Sequence, residues 1–191
     1  MNIGNFLFKY RSYTPIPLAL YILFNSYPEI QNVLIGLILI TIGESLRIWA
    51  VGYAGGITRT TKVGAPSLCT SGPYSYTRNP LYIGNMVIYS GVVLIAGSLN
   101  ILYTLIITWG FFTVQYYLII ELEENTLINI FGKEYEKYIN NVPKLFPRFS
   151  SWKNKDKYVP MKFYKTIKTE KRTLQNILLL VLIIFFKHFL V

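Results

Sequence analysis

From Leu81 to Ile120 the chain carries no charged residue, an unbroken run of 40 positions. One helix needs about 20 mostly apolar residues to cross the roughly 30 Å hydrocarbon core of a bilayer. The run therefore holds two such lengths. Gly97-Ser98-Leu99-Asn100 lies at its middle and supplies turn-forming residues, which predicts a helical hairpin over 81–97 and 100–120. Ile30 to Tyr53 is a further apolar stretch, with Glu44 and Arg47 near its end. Leu174–Val191 is another, broken only by Lys187 and His188. Pro15–Ser26 is apolar but short, and carries Pro15 and Pro17. Together these segments predict an all-α polytopic membrane bundle of about five spanning helices, folded as one domain over residues 1–191. Asn25-Ser26-Tyr27-Pro28 lacks a small-x-small cleavage pattern, so the first segment is expected to be a span and not a cleaved leader.

Charge gives an independent check on that topology. Only 15% of the 191 residues are charged, yet the net charge is +10. Lys9 and Arg11 precede the first apolar segment, and Arg47, Arg59, Lys62 and Arg78 lie between the second and third. Twelve more fall between Lys133 and Arg172, while the connections Asn25–Gln31 and Gly97–Asn100 carry none. Alternate connections are basic, the positive-inside pattern for five spans. It predicts that the N-terminus, the 54–80 loop and the 122–173 segment are cytoplasmic; a four-span arrangement with the C-terminus inside is the alternative. Residues 149–173 interleave basic residues with Trp152, Tyr158, Phe163 and Tyr164, which suits an anionic membrane surface. Topology accounts for the charge and no nucleic-acid motif occurs, so no nucleic-acid partner is expected. The oligomeric state is open: Gly36 and Gly43, or Gly84 and Gly91, suit close helix contacts either within one chain or between copies.

One cysteine, Cys69, and one histidine, His188, exclude a disulfide scaffold and argue against Ser-His-Asp chemistry or a His-rich metal centre. No metal site is expected. No phosphate-binding glycine loop is present. Chemistry must then rest on carboxylates, arginines, tyrosines, backbone groups or a bound cofactor. Asn79-Pro80 is a helix-start signal, Asn as N-cap and Pro at the first helical position. Arg78 stands one residue outside it. That arrangement is either a site for an anionic group or an ordinary capped membrane helix. Glu121, Glu123 and Glu124 sit where the fourth span ends, a costly position unless they are hydrated, paired or used. Leu127, Ile128, Phe131, Tyr135 and Tyr138 then recur at three- and four-residue spacing, predicting an amphipathic helix interrupted by Gly132 and broken by Pro143 and Pro147. Glu44 and Arg47 are expected to pair on one helix face.

Two of these stretches carry a resemblance. Gly72-Pro73-Tyr74-Ser75-Tyr76-Thr77-Arg78-Asn79-Pro80-Leu81-Tyr82-Ile83-Gly84 resembles a signature of the isoprenylcysteine carboxyl methyltransferase and phospholipid methyltransferase superfamily. Glu123-Glu124, Leu127, Phe131-Gly132, Glu134-Tyr135 and Tyr138, followed by Val142-Pro143 and Pro147, resemble its second signature. The resemblance covers residues 70–150 and implies an integral-membrane enzyme that uses S-adenosylmethionine in a pocket at the cytoplasmic ends of the helices. It places Tyr74, Arg78, Asn79, Tyr82, Glu124, Tyr135, Tyr138, Leu145 and Phe146 around the cofactor, and Glu123 and Glu124 at the chemistry. The sequence departs from the pattern twice. Asn79 stands where the family usually has His. The carboxyl methyltransferases carry an Arg one turn before the glutamate pair, whereas Ile119 stands here, with Gln115 a turn further back.

The acceptor is expected to be lipidic or otherwise apolar: a carboxylate, an amine, a thiol or another nucleophile. Arg47 or Arg59 is a candidate stand-in for the missing charge. Methyl transfer from a sulfonium is an in-line displacement that depends on alignment, so the absent histidine is no obstacle. Glu123 is placed to take a proton from an amine or thiol. A nicotinamide-dependent membrane reductase of sterol or isoprenoid type and a non-enzymatic membrane module are the alternative readings.

Overall fold

A computed structural model describes residues 3–56, 60–98, 100–153 and 159–190. Arg59, Leu99, Tyr158 and Val191 lie outside the described residues. The regular structure among the described residues is helical: α1 (Ile3–Tyr10), α2 (Ile16–Phe24), α3 (Ile30–Ala54), α4 (Pro80–Ala96), α5 (Ile101–Phe131), α6 (Lys133–Asn141) and α7 (Phe163–Leu190), with a 3-10 turn at Gly72–Ser75 before α4. α3 and α5 are long and apolar enough to cross a membrane; α4 is apolar but has only 17 residues. The segment read as a first span forms a nine-residue helix, α2. At 1.5 Å per residue that is about 14 Å, too short to cross alone. The apolar tail is the second half of a longer helix, since α7 begins at Phe163 inside the basic stretch.

The hairpin forms as the turn residues dictate. Gly97 ends α4 with φ +57°, a left-handed conformation that favours glycine, and a Cβ there would meet the Tyr27 carbonyl at 2.4 Å. Asn100 caps α5, its side-chain oxygen accepting from the Tyr103 amide at 3.0 Å. The two arms are joined by Trp109 Nε1 donating to Ser90 Oγ at 2.9 Å and Asn85 Nδ2 donating to the Tyr116 hydroxyl at 2.9 Å. α5 continues unbroken through Glu121 to Gly132, whose φ of +50° ends it.

α3 packs antiparallel on α4 through four glycines. A Cβ on Gly36 would lie 2.5 Å from the Gly91 carbonyl, and one on Gly43 would lie 2.8 Å from the Gly84 carbonyl. The seven-residue spacing in each helix keeps both pairs in register. These glycines therefore meet within one chain. α7 is held across α3 by Arg47, which reaches Glu170 at 2.7 Å. Glu44, the expected partner of Arg47, lies further off at 3.9 Å. Near the other end, Lys187 donates to the last carbonyls of α2, Leu23 and Phe24, both at 2.8 Å. Ion pairs thus lie inside, while Leu34, Ile38 and Ile42 of α3, Leu102, Ile106 and Val114 of α5 and Leu178, Leu182 and Phe186 of α7 face outward. That is the reverse of a soluble domain and matches a lipid-facing surface.

Candidate functional site

The two motif stretches fold into one unit. Residues 142–152 run back along 74–79 and are joined to it by main-chain bonds: Arg78 N to Pro143 O (2.9 Å), Arg148 N to Tyr76 O (3.0 Å) and Trp152 N to Ser75 O (2.9 Å). Side chains add to the seam. Thr77 Oγ1 donates to Leu145 O at 2.9 Å, and Tyr138 OH donates to Tyr74 O at 2.6 Å. Tyr135, Tyr138 and Val142 form a small core of their own with Leu127, Ile128, Phe131 and Trp152, so the expected amphipathic face is the one that packs.

Arg78 is the pin of this unit. Its Nε and Nη2 donate to Glu124 Oε1 at 3.0 and 2.8 Å, and its Nη1 donates to the carbonyls of Ile139 and Val142. Lys144 reaches the other oxygen of Glu124 at 3.1 Å. The sequence left Arg78 either at a site for an anionic group or beside an ordinary capped helix; in the fold it is paired with the protein's own carboxylate, Glu124. Asn79 does occupy the N-cap position of α4, but its side chain does not cap. Its Nδ2 donates to Lys144 O at 3.0 Å, fastening the 143–147 segment.

Glu123 has a different environment. The first twenty residues of α5 are uncharged and match the bilayer's apolar core; Glu123 lies beyond them, turned inward. Tyr82 OH donates to its Oε2 at 2.8 Å. Burial pushes its carboxyl up to about 7, against the pull of the Tyr82 hydrogen bond and of the Arg11 guanidinium. The Tyr82 ring stacks on Tyr116 with centroids 4.4 Å apart, which fixes the phenol. Arg11 is held where α1 ends, its Nη2 donating to Thr60 O at 2.8 Å and its guanidinium 4.0 Å from the Phe8 ring centroid.

The fold thus brings Arg78, Asn79, Glu124, Tyr74 and Tyr138 into one bonded cluster, with Glu123 and Tyr82 beside it. Tyr135 packs edge-on to Tyr138 with centroids 5.8 Å apart. Leu145 packs on the main core, whereas Phe146 is 87% exposed and turned away. Arg47, a candidate stand-in for the missing charge, is committed to Glu170 and to Asn85, whose side-chain oxygen accepts from it. Arg11 was legible only as a topology marker, because 112 residues separate it from Glu123. Burial pushes the Cys69 thiol up to about 11, which makes it an inert loop thiol. Tyr76 and Thr77 also border an apolar groove of about 230 Å³ between Leu46, Trp49, Ile83 and Pro147.

Residues 31–134, from α3 into α6, match the phospholipid methyltransferase family. The chain belongs to that family. It is similar to the protein-S-isoprenylcysteine O-methyltransferase of Xenopus laevis, 32% identical over 161 residues, covering 77% of this chain and 54% of the relative. The Mus musculus protein of the same name is 30% identical over 162 residues, covering 77% and 56%. The cobalt-zinc-cadmium resistance protein CzcN of Cupriavidus metallidurans is 32% identical over 120 residues, covering 63% and 50%. The chain spans about half the length of these curated relatives. No solved structure matches it significantly. Among the described residues, no group of three His, Cys, Asp or Glu is placed to hold a metal ion.

Proposed function

We propose that this member of the phospholipid methyltransferase family transfers a methyl group from S-adenosylmethionine to a lipidic or otherwise apolar acceptor at the membrane. The observation that supports it most is the joining of the 74–82 and 123–147 stretches by Arg78 and Glu124, with an inward carboxylate, Glu123, alongside. The donor set suits a cationic, aromatic cofactor: a carboxylate and tyrosine rings attract a sulfonium, and the Tyr135–Tyr138 ring pair suits an adenine. When bound, the cofactor supplies an electrophilic methyl group. Arg78, Asn79 and Glu124 set the position of the pocket wall, Tyr82 orients Glu123, and Phe146 is free to close over a ligand. Glu123 accepts the proton of an amine or thiol acceptor; Glu124 acts as a positioning residue through Arg78. A multi-pass arrangement with the N-terminus and both motif stretches cytoplasmic, and the basic start of α7 against anionic headgroups, follows from the charge pattern.

Calorimetry on the full chain in lipid nanodiscs tests this reading. Saturable binding of S-adenosylmethionine is expected, together with transfer of labelled methyl to a component of a total lipid extract. No binding in several lipid compositions would overturn it, and saturable NADPH binding would favour the reductase reading instead.

A further inference from the structure

The first turns of α7 have two unlike faces. Thr166 and Glu170 are buried, Glu170 completely. Lys165, Lys168, Lys171 and Arg172 are all exposed. At about 100° per residue these four cations fall within an arc of about 120°, opposite the buried pair. No acidic residue shares that arc, and among the described residues no ion pair or hydrogen bond holds any of the four side chains. Lys168 lies one turn from Lys165, Lys171 and Arg172, and like charges at that spacing repel. Thr166, Ile167, Thr169 and Thr173 add little helix propensity. These turns are therefore weakly helical on their own and gain from an anion laid along the cations. The rest of the helix says which anion. The outward face turns apolar at Leu178, Leu179, Leu182 and Phe186. From Leu174 onward α7 is about 25 Å long, close to the thickness of the hydrocarbon core. That puts the cations, with the exposed Tyr164 beside them, at the level of lipid headgroups.

The inward face of the same turns leads to the candidate site. Arg47 Nη2 donates to Glu170 Oε2 at 2.7 Å, and its Nη1 donates to Asn85 Oδ1. Asn85 Nδ2 donates to the Tyr116 hydroxyl, and the Tyr116 ring stacks on Tyr82, which orients Glu123. The Arg47 stem is enclosed by α4: a Cβ on Gly84 would lie 2.5 Å from its Cγ. Arg47 has no room to swing after a departing partner, so loss of Glu170 leaves a buried, half-paired guanidinium under Asn85. Resting on the methyl-transfer reading above, we propose that anionic phospholipid is a positive effector of the site: its headgroups neutralise the cationic face of α7, order its first turns, and so seat Glu170 on Arg47 beneath Asn85, Tyr116 and Tyr82. The two states are α7 docked and α7 frayed at its start. Each basic residue near an anionic surface favours the docked state roughly fivefold, which is the differential affinity an effector needs.

The test uses the full chain in nanodiscs of phosphatidylcholine alone or with about a third phosphatidylglycerol. It reads S-adenosylmethionine affinity by calorimetry and hydrogen exchange over residues 163–173. Phosphatidylglycerol should slow that exchange and raise the affinity about tenfold, and high salt should abolish both effects. The cofactor's own positive charge concentrates it roughly threefold beside such a surface. The fourfold variant Lys165→Gln, Lys168→Gln, Lys171→Gln and Arg172→Gln should show only that enrichment, while binding as the wild type does in phosphatidylcholine. Glu170→Gln should keep the slowed exchange and lose the gain in affinity; if it does not fold, the fourfold surface variant decides alone. A wild-type gain no larger than the enrichment, or a gain that the fourfold variant keeps, overturns the inference and leaves the methyltransferase reading intact. The same gain from inorganic phosphate in phosphatidylcholine nanodiscs would assign the cations to a soluble anion and overturn the lipid effector. No S-adenosylmethionine binding in either lipid overturns both readings.

Discussion

Arg78 and Glu124 allow a quantitative test of how the site is held. Arg78→Ala removes two hydrogen bonds to Glu124, at 2.8 and 3.0 Å, and two to main-chain carbonyls at the end of α6. Glu124 is then left 12% exposed with one partner, Lys144 at 3.1 Å, whose own side chain is 39% exposed. Removing one member of a buried pair costs about 3–5 kcal/mol, because the remaining charge stays buried. Lys144 offsets part of that, so the lower end, about 3 kcal/mol, is expected. The double variant Arg78→Ala with Glu124→Ala strands no carboxylate and should cost less than the two single losses added together, by about 1.5–3 kcal/mol. Arg78→Lys should recover little, since one ammonium cannot reach Glu124 and both carbonyls at once. The assay is a double-mutant cycle on denaturant unfolding in detergent, read beside S-adenosylmethionine affinity. If Arg78 is the pin of the pocket wall, affinity falls with stability in the single variant and partly returns in the double. A cycle with coupling near zero, or an Arg78→Ala variant as stable as wild type, would refute the clasp.

Three further outcomes follow from the same coordinates. Gly91→Val would place a Cβ 2.6 Å from the Gly36 carbonyl and should destabilise the α3–α4 pair by about 1–3 kcal/mol or more, whereas Gly110→Ala, with nothing within 4 Å, serves as the control; both are read by thermal unfolding. Glu123 is protonated below about 7 in the folded protein and ionised above it, so methyl transfer to an amine should rise as pH increases through that value and Glu123→Gln should be slow and flat across it. The raised acidity constant also means the folded state holds its proton longer than the unfolded one, so stability falls between the ordinary carboxylate range and about pH 7, and Glu123→Gln should remove that slope in pH-dependent unfolding. Lys187→Met takes from the Phe24 carbonyl its Lys187 donor and leaves the Leu23 carbonyl to Ser26, and should cost about 1 kcal/mol in the same unfolding assay, with Lys187→Arg largely neutral.

The hairpin is legible in the sequence because its determinants are local: an uncharged run long enough for two helices, Gly97 able to take a positive φ, and Asn100 able to cap. The break at Gly132 is legible for the same reason. The start of α7 at Phe163 is not. Residues 163–173 mix basic, hydroxyl and scattered apolar side chains without a long apolar run, and what orders them is distant: Glu170, fully buried, is 123 positions from Arg47. The candidate site divides in the same way. Motif chemistry marks Arg78, Asn79, Glu123 and Glu124 as residues of interest, but their directions depend on contacts across 41 to 65 positions. Hence an arginine expected to face a ligand is turned onto Glu124, and an asparagine expected to cap its own helix fastens another segment. In the sequence Gln115 is only the polar residue a turn beyond Ile119; its burial, with no hydrogen-bond partner among the described residues, is visible in the fold alone.

Glu121, Glu123 and Glu124 show why three neighbouring carboxylates need not act as a cluster. Successive residues on an α-helix turn by about 100°, so Glu123 points about 100° away from Glu124 and about 160° away from Glu121. Glu121 is exposed, Glu123 faces Tyr82 on α4, and Glu124 faces Arg78 at the entrance to α4. The charged partners of Glu124, Arg78 and Lys144, make it structural, while the hydrogen-bond partner of Glu123 is a phenol that orients it. The second arrangement leaves Glu123 a carboxylate able to exchange a proton near neutral pH. The division of labour therefore comes from helix rotation and from which residue of α4 each carboxylate meets. Exchanging the residues at 123 and 124 with an otherwise conservative Glu/Gln swap is not symmetric: Gln at 124 strands Arg78, whereas Gln at 123 strands nothing and removes only the group that titrates.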